Sequence, residues 1–165
     1  IRNPERVVKL ILNTSAGFQD VDSPQIKRLR ELSVAAISNP TRETVRKRLE
    51  FLMYDPKKVT DELVEIRYRI YSQPDTQRAL AKIMDYASSE ACRDHLLTPD
   101  KLRRITVPTL FLWTRQDPTI PWQVAEKAHK EMPGSQFCLM EECGHWPQWE
   151  KPEEFNKIHV DFLRA

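Results

Sequence analysis

Two apolar runs of strand length decide most of what this chain can fold into. Pro108-Thr109-Leu110-Phe111-Leu112-Trp113 and Gln136-Phe137-Cys138-Leu139-Met140 flank a stretch of helical period at 121–132. Val124, Ala125, Ala128 and Met132 form the apolar stripe of that helix. A strand, a helix and a second strand joined over this length imply a parallel pair with a right-handed crossover. Strands of a parallel sheet are buried on both faces, so they read as continuous apolar runs. Val7-Val8-Lys9-Leu10-Ile11-Leu12, after Asn3-Pro4-Glu5 and before Asn13-Thr14-Ser15-Ala16-Gly17, has the same character. A last helix from about Pro152 is expected to turn Phe155, Ile158, Phe162 and Leu163 inward. The class is α/β.

Between these strands the reading is helical. Ile26, Leu29, Leu32 and Ala36 follow a helical period, and Val45, Leu49 and Leu52 do so after the stop and cap at Asn39-Pro40-Thr41. A third helix starts at Thr60, with Asp61 and Glu62 where carboxylates suit the helix dipole. A fourth follows Pro74-Asp75 and carries Leu80, Ile83 and Met84 on one face. The chain therefore divides into a strand and connection (1–22), a charged-surfaced helical cap (23–100) and a βαβα part (101–165).

Composition removes several function classes. Twenty-six basic and 24 acidic side chains are interleaved, for a net charge of +2, so the electrostatic footprint of a nucleic-acid binder is missing. No apolar run approaches the roughly 20 residues of a membrane helix, and the start has no signal-peptide pattern. Cys92, Cys138 and Cys143 have no metal-type spacing and read as reduced thiols of a cytoplasmic protein. No metal or organic cofactor is expected. Only Gly17, Gly134 and Gly144 are glycines, where average usage gives about eleven or twelve. Phosphate loops and nucleophile turns need glycine for close backbone approach. The material for a P-loop, a dinucleotide fingerprint or a Gly-x-Ser-x-Gly turn is lacking.

Two loops carry the chemistry. In an open parallel sheet, catalytic groups gather beyond the carboxyl ends of the strands. Thr114-Arg115-Gln116-Asp117-Pro118 follows one strand and Glu141-Glu142-Cys143-Gly144-His145-Trp146 follows the next, so both loops emerge on one edge. There Asp117 can accept a hydrogen bond from His145, orienting it as a general base for a hydroxyl nucleophile. Asp before Pro is also a common turn former and His after Gly a common loop residue; spacing alone leaves both readings open. Glu141 and Glu142 read as a solvated rim. In the third helix Leu63, Ile66 and Ile70 share a face, with Arg67 about 40° from Leu63 and Arg69 pointing away. A guanidinium at the edge of an apolar face needs a partner.

Val107-Pro108-Thr109-Leu110, Trp113-x3-Asp117-x3-Pro121 and Cys143-Gly144-His145-Trp146-x-Gln148-x-Glu150-x-Pro152-x2-Phe155-Asn156 resemble the C-terminal half of α/β-hydrolases. Within them the sequence is most similar to the meta-cleavage product hydrolases, the carbon–carbon bond hydrolases of aromatic degradation. The resemblance runs over essentially all 165 residues: Asn3-Pro4-Glu5-Arg6-Val7 through Gly17 is similar to the strand after the nucleophile helix, and 23–100 is similar to the helical lid. It implies a triad acid at Asp117, a triad base at His145 and a pocket-walling aromatic at Trp146. It implies that Arg67 reads the substrate's carboxylate and enol end, against a structural ion pair within the lid. Phe51-Leu52-Met53-Tyr54-Asp55 resembles the segment lining the distal pocket. Leu52 and Met53 are thus candidate substrate contacts, with lid packing as the alternative.

The resemblance also marks a departure. The family's nucleophile serine and oxyanion donors lie upstream of the part that this chain resembles. Ser15 is a poor substitute: Asn13-x-Ser15-x-Gly17 lacks the first glycine, Phe18-Gln19-Asp20-Val21-Asp22 does not open a helix, and the position is one strand too late. The implied partners are a dienoate small molecule, a missing N-terminal half and further copies of the chain, with neither nucleic acid nor membrane. An ester, epoxide or haloalkane hydrolase of the same fold, or a non-catalytic ligand-binding relative, shares the Asp/His pair and stays open.

Overall fold

The computed structural model describes residues 3–18, 23–87 and 89–165. Residues 19–22, read above as non-helical, lie outside the described residues. Three strands form one sheet in the order β1 (Leu10–Asn13), β2 (Thr109–Thr114), β3 (Gln136–Met140), and both pairs are parallel. Ile11 lies opposite Leu110, and Trp113 opposite Leu139.

β2 is central and buried along its whole length, and its alternation sorts the layers. Phe111 and Trp113 face α7 (Trp122–Lys130), packing with Ala125, Ala128, Met132 and Ile120. Leu110 and Leu112 face α9 (Pro152–Arg164), packing with Phe162 and the half-buried Phe155 and Ile158. Leu163 departs from the expectation: it is 55% exposed. Phe162, four residues after Ile158, takes the inward position, and the next residue turns about 100° away.

β1 also differs from its sequence reading. It begins at Leu10, not Val7, because Pro4–Arg6 form a 3₁₀ turn and Val8 is left 83% exposed. All four of its residues are only half-buried. Among the described residues it pairs with β2 alone, so one edge of this strand carries unmet backbone groups.

The helical layer has its own core. It comprises α1 (Pro24–Ser38), α2 (Arg42–Leu52), α3 (Asp61–Tyr71) and α4 (Pro74–Ala87). Local signals set their starts: Ser23, Thr41 and Thr60 each accept a backbone N–H of the first turn through their hydroxyls. Ala36, Val45, Leu49, Met53, Leu63 and Tyr71 are among the residues that meet inside, and Leu80 of α4 packs against them. On α1 the buried positions are Ser33, Ala36 and Ile37; Ile26, Leu29 and Leu32 are only half-buried. On α3 the inward face is rotated from the expected one. Leu63, Val64 and Tyr71 are buried, while Ile66 and Ile70 are 48% and 40% exposed. Ile83 of α4 is likewise exposed. The short α5 (Glu90–Arg93) and α6 (Pro99–Arg103) lead back to the sheet, where Leu97 and Leu102 join the Trp113 cluster. A one-turn α8 (Pro147–Glu150) precedes α9.

Candidate active site

The loops after β2 and β3 leave the sheet level with each other, since the Arg115 amide still donates to the Met140 carbonyl at 2.9 Å. Two more contacts tie them. Arg115 forks onto both oxygens of Glu141 at 2.8 Å, which holds that carboxyl below its ordinary range. The Cys143 amide donates to Gln116 Oε1 at 3.1 Å. Asp117 then closes an Asx turn on its own loop. Its Oδ1 accepts the Thr119 amide (2.7 Å), the Thr119 hydroxyl (2.7 Å) and the Ile120 amide (3.2 Å). That leaves Oδ2 facing His145 Nδ1 at 2.9 Å.

This arrangement selects a tautomer. A carboxylate only accepts, so the hydrogen of the imidazole sits on Nδ1 and the lone pair on Nε2. The Thr119 hydroxyl, 3.1 Å from Nδ1, has given its own proton to Oδ1 and is a second acceptor there. Among the described residues Nε2 has no hydrogen-bond partner. The Asp117 side chain is fully buried and that of His145 is 24% exposed, so an oriented imidazole stands at the surface of the sheet edge.

His145 is held from the other side by the helical layer. Its amide donates to the Leu52 carbonyl at 2.7 Å. The neighbouring Gly144 lies so close that a β-carbon there would meet Leu52 O at 2.5 Å and Tyr54 N at 2.6 Å. Glu150, only 3% exposed, completes the junction. One oxygen accepts the amides of Tyr54 (2.9 Å) and Asp55 (3.1 Å), the other the amide of Gly144 (2.6 Å) and, more distantly, the Cys143 thiol (3.8 Å). Burial first, then the Glu150 charge, pushes that thiol up to about 12. Cys143 is thereby no nucleophile.

Arg67 lies on the inward side of α3, and its guanidinium sits 4.5 Å over the ring of Trp146, next to His145 in sequence. Among the described residues no carboxylate pairs with it. Trp146 also packs against the helical core. Met53 is buried in that core and Leu52 is buried beside it. What these two bring to the His145 loop is backbone contact. Ser15 is not drawn to the histidine: its buried hydroxyl has no hydrogen-bond partner among the described residues.

Three residues escaped the sequence reading. Thr119 is a small polar residue in a loop, with no local sign that it buttresses an acid. Glu150 stands in the Gln148-x-Glu150 pattern quoted above, yet a glutamate beside a lysine reads as surface. Arg48 donates Nε to Ser33 Oγ at 3.0 Å and lies 5.9 Å over Tyr71, with Nη1 buried and unpartnered. Burial and the nearby Arg67 charge lower its pKa. Its place on a charged helix gave no hint of this. Among the described residues no group of three His, Cys, Asp or Glu gathers as a metal would require, and no helix is long and apolar enough to cross a membrane.

With this geometry in view, comparisons with known proteins are informative. The family profile described as alpha/beta hydrolase fold matches residues 3–152. A 2-hydroxy-6-oxononadienedioate/2-hydroxy-6-oxononatrienedioate hydrolase of Paraburkholderia phymatum is 32% identical over 168 residues, covering 97% of this chain and 55% of the relative. A 2-hydroxy-6-oxo-6-phenylhexa-2,4-dienoate hydrolase of Comamonas testosteroni is 31% identical over 170 residues, covering 99% and 57%. Among solved structures, a Rhodococcus 2-hydroxy-6-oxo-6-phenylhexa-2,4-dienoate hydrolase superposes with a TM-score of 0.80 at 23% identity, covering 99% of this chain and 58% of that one. A meta-cleavage product hydrolase of Pseudomonas fluorescens superposes with a TM-score of 0.80 at 24% identity, covering 99% and 58%. The chain thus spans little more than half the length of the relatives it matches, corresponding to their C-terminal portion. The parallel strands, their flanking helices and the family match over residues 3–152 together show that the chain belongs to the alpha/beta hydrolase fold family.

Proposed function

We propose that this chain supplies the acid–base part of a serine-type carbon–carbon bond hydrolase acting on 2-hydroxy-6-oxo-hexa-2,4-dienoate-type compounds from aromatic degradation. The nucleophile serine and the oxyanion donors belong to an N-terminal part outside these 165 residues. In this reading Nε2 of His145 takes and returns the protons as the enol is ketonised and the carbon–carbon bond is cleaved by water. Asp117 holds the Nδ1–H tautomer and stabilises the imidazolium when it forms. Helices α1–α4 act as the lid, Arg67 and Trp146 position the substrate, and Leu52 and Met53 lie behind its distal end. The protein is read as a cytoplasmic homo-oligomer with free thiols.

The observation that carries the reading is Arg67. A half-buried guanidinium with no acid partner among the described residues, stacked on the aromatic beside the base, calls for an anion. A dienoate carboxylate is such an anion, and the relatives named above act on carboxylates of this kind. An ester hydrolase is the rival, since an esterase of Thermogutta terrifontis superposes with a TM-score of 0.69. It would use Asp117 and His145 equally and make no demand on Arg67.

The test follows the loss of dienoate absorbance with the complete protein. His145→Ala should abolish turnover while dienoate binding stays nearly unchanged, and Arg67→Met should raise KM for the dienoate about tenfold or more. A complete protein that hydrolyses simple esters, leaves the dienoate intact and ignores Arg67→Met belongs to the rival class.

A further inference from the structure

The junction around Glu150 does more than fill space. A buried carboxylate is costly to desolvate and is tolerated only when its oxygens are met by donors. Those donors come from two places remote in sequence. Oε1 takes the amides of Tyr54 and Asp55, where the helical layer runs on from α2, and Oε2 takes the amide of Gly144 in the loop that carries the base. Helix α8 adds to the same seam: Lys58 Nζ donates to the Glu150 carbonyl, and the Trp149 side chain donates Nε1–H to the Lys58 carbonyl. The seam ends one residue on, where the His145 amide reaches Leu52 O.

We infer that Glu150 is the positioning residue for His145, seating the base against the helical layer through Gly144. The inference rests on the proposed role of His145. Glu150 itself touches no reacting atom. It fixes the backbone immediately before the histidine, while Asp117 fixes the ring. The imidazole is therefore placed correctly only when residues 52–55 are docked, which couples seating of the lid to readiness of the base.

Glu150→Gln in the complete protein tests this. An amide has one accepting oxygen and one NH2, so whichever way it turns, one set of backbone amides meets a donor. kcat for the dienoate should fall about 10–100-fold, the scale of a small misplacement of a catalytic group. The fall in kcat should exceed any rise in KM that comes from the loosened residues 52–55. The NMR resonance of the His145 Nδ1–H should shift or broaden. Val45→Ala, which empties the helical core without removing any hydrogen bond of the seam, should lower stability and leave that resonance in place. A Glu150→Gln protein with wild-type kcat and an unmoved Nδ1–H signal overturns the inference, even with a lower Tm. If the variant does not fold, amide exchange in the wild type decides. Gly144, Tyr54 and Asp55 should share one opening free energy, and unrelated rates would sink the coupling. If the wild type ignores the dienoate, the proposed substrate falls, while the resonance and the exchange data still judge Glu150.

Discussion

Adding one methyl group at Gly144 should damage this protein more than its size suggests. The β-carbon of Gly144→Ala would lie 2.5 Å from Leu52 O, 2.6 Å from Tyr54 N and 2.8 Å from the Met53 carbonyl carbon, all backbone atoms with no rotamer to yield. An ordinary C···O contact is about 3.3 Å, so residues 52–54 must withdraw by roughly 0.8 Å. That stretches the His145–Leu52 hydrogen bond from 2.7 Å towards the limit of bonding and loosens the Gly144–Glu150 bond of 2.6 Å. Overpacking of this kind costs about 1–3 kcal/mol, and each weakened bond adds about 1 kcal/mol. A total of about 3–5 kcal/mol is expected. Urea unfolding of the complete protein measures it as a shift in midpoint at constant slope. Gly134→Ala is the control: its backbone φ of +79° strains any side chain, but nothing lies within 4 Å. That strain alone costs about 1–2 kcal/mol. A Gly144→Ala protein no less stable than Gly134→Ala would refute the claim that the two segments are pressed together here.

Three further outcomes follow from the same geometry. Asp117→Asn presents an NH2 to a site built of donors and removes the partner of the Nδ1 proton, so kcat for the dienoate should drop about 10³–10⁴-fold in steady-state assays. Burial in the fold pushes the Cys143 thiol up from 9.0 to about 12. Between those values the unfolded state binds fewer protons, so stability must fall as pH rises above 9. The slope is at most about 1.4 kcal/mol per pH unit. Equilibrium unfolding from pH 8 to 10.5 should show this fall in the wild type and a shallower one in Cys143→Ala, since burial raises the Cys138 thiol as well. Finally, among the described residues β1 pairs on one side only, and Val7 and Val8 are exposed beside it. Produced alone, these 165 residues should aggregate or bind a hydrophobic dye, and a single cooperative thermal transition of a monomer would contradict that.

The sequence disclosed what depends on apolar periodicity and hid what depends on backbone donors. β2 and β3 were legible because burial on both faces leaves no room for polar residues. Once the two are parallel neighbours, Asp117 and His145 must share an edge, and their contact at 2.9 Å follows from topology as much as from chemistry. The same periodicity misled on α3. Counting isoleucines inward placed Ile66 and Ile70 on the buried face, yet Arg67, Tyr68 and Tyr71 turn inward instead. Those side chains bury rings and stems, and the guanidinium of Arg67 rests over Trp146. Glu150 was hidden for a different reason. Two of its partners are main-chain amides 96 and 95 residues away, and an amide looks the same whatever side chain it carries. Gly144 was the trace that this contact left in the sequence. In a chain with only three glycines, one placed directly before the histidine marks a spot where two backbones meet. A scarce glycine next to a catalytic candidate therefore points to a second segment pressed against it, here residues 52–55, even where the carboxylate that joins the two looks like any surface glutamate.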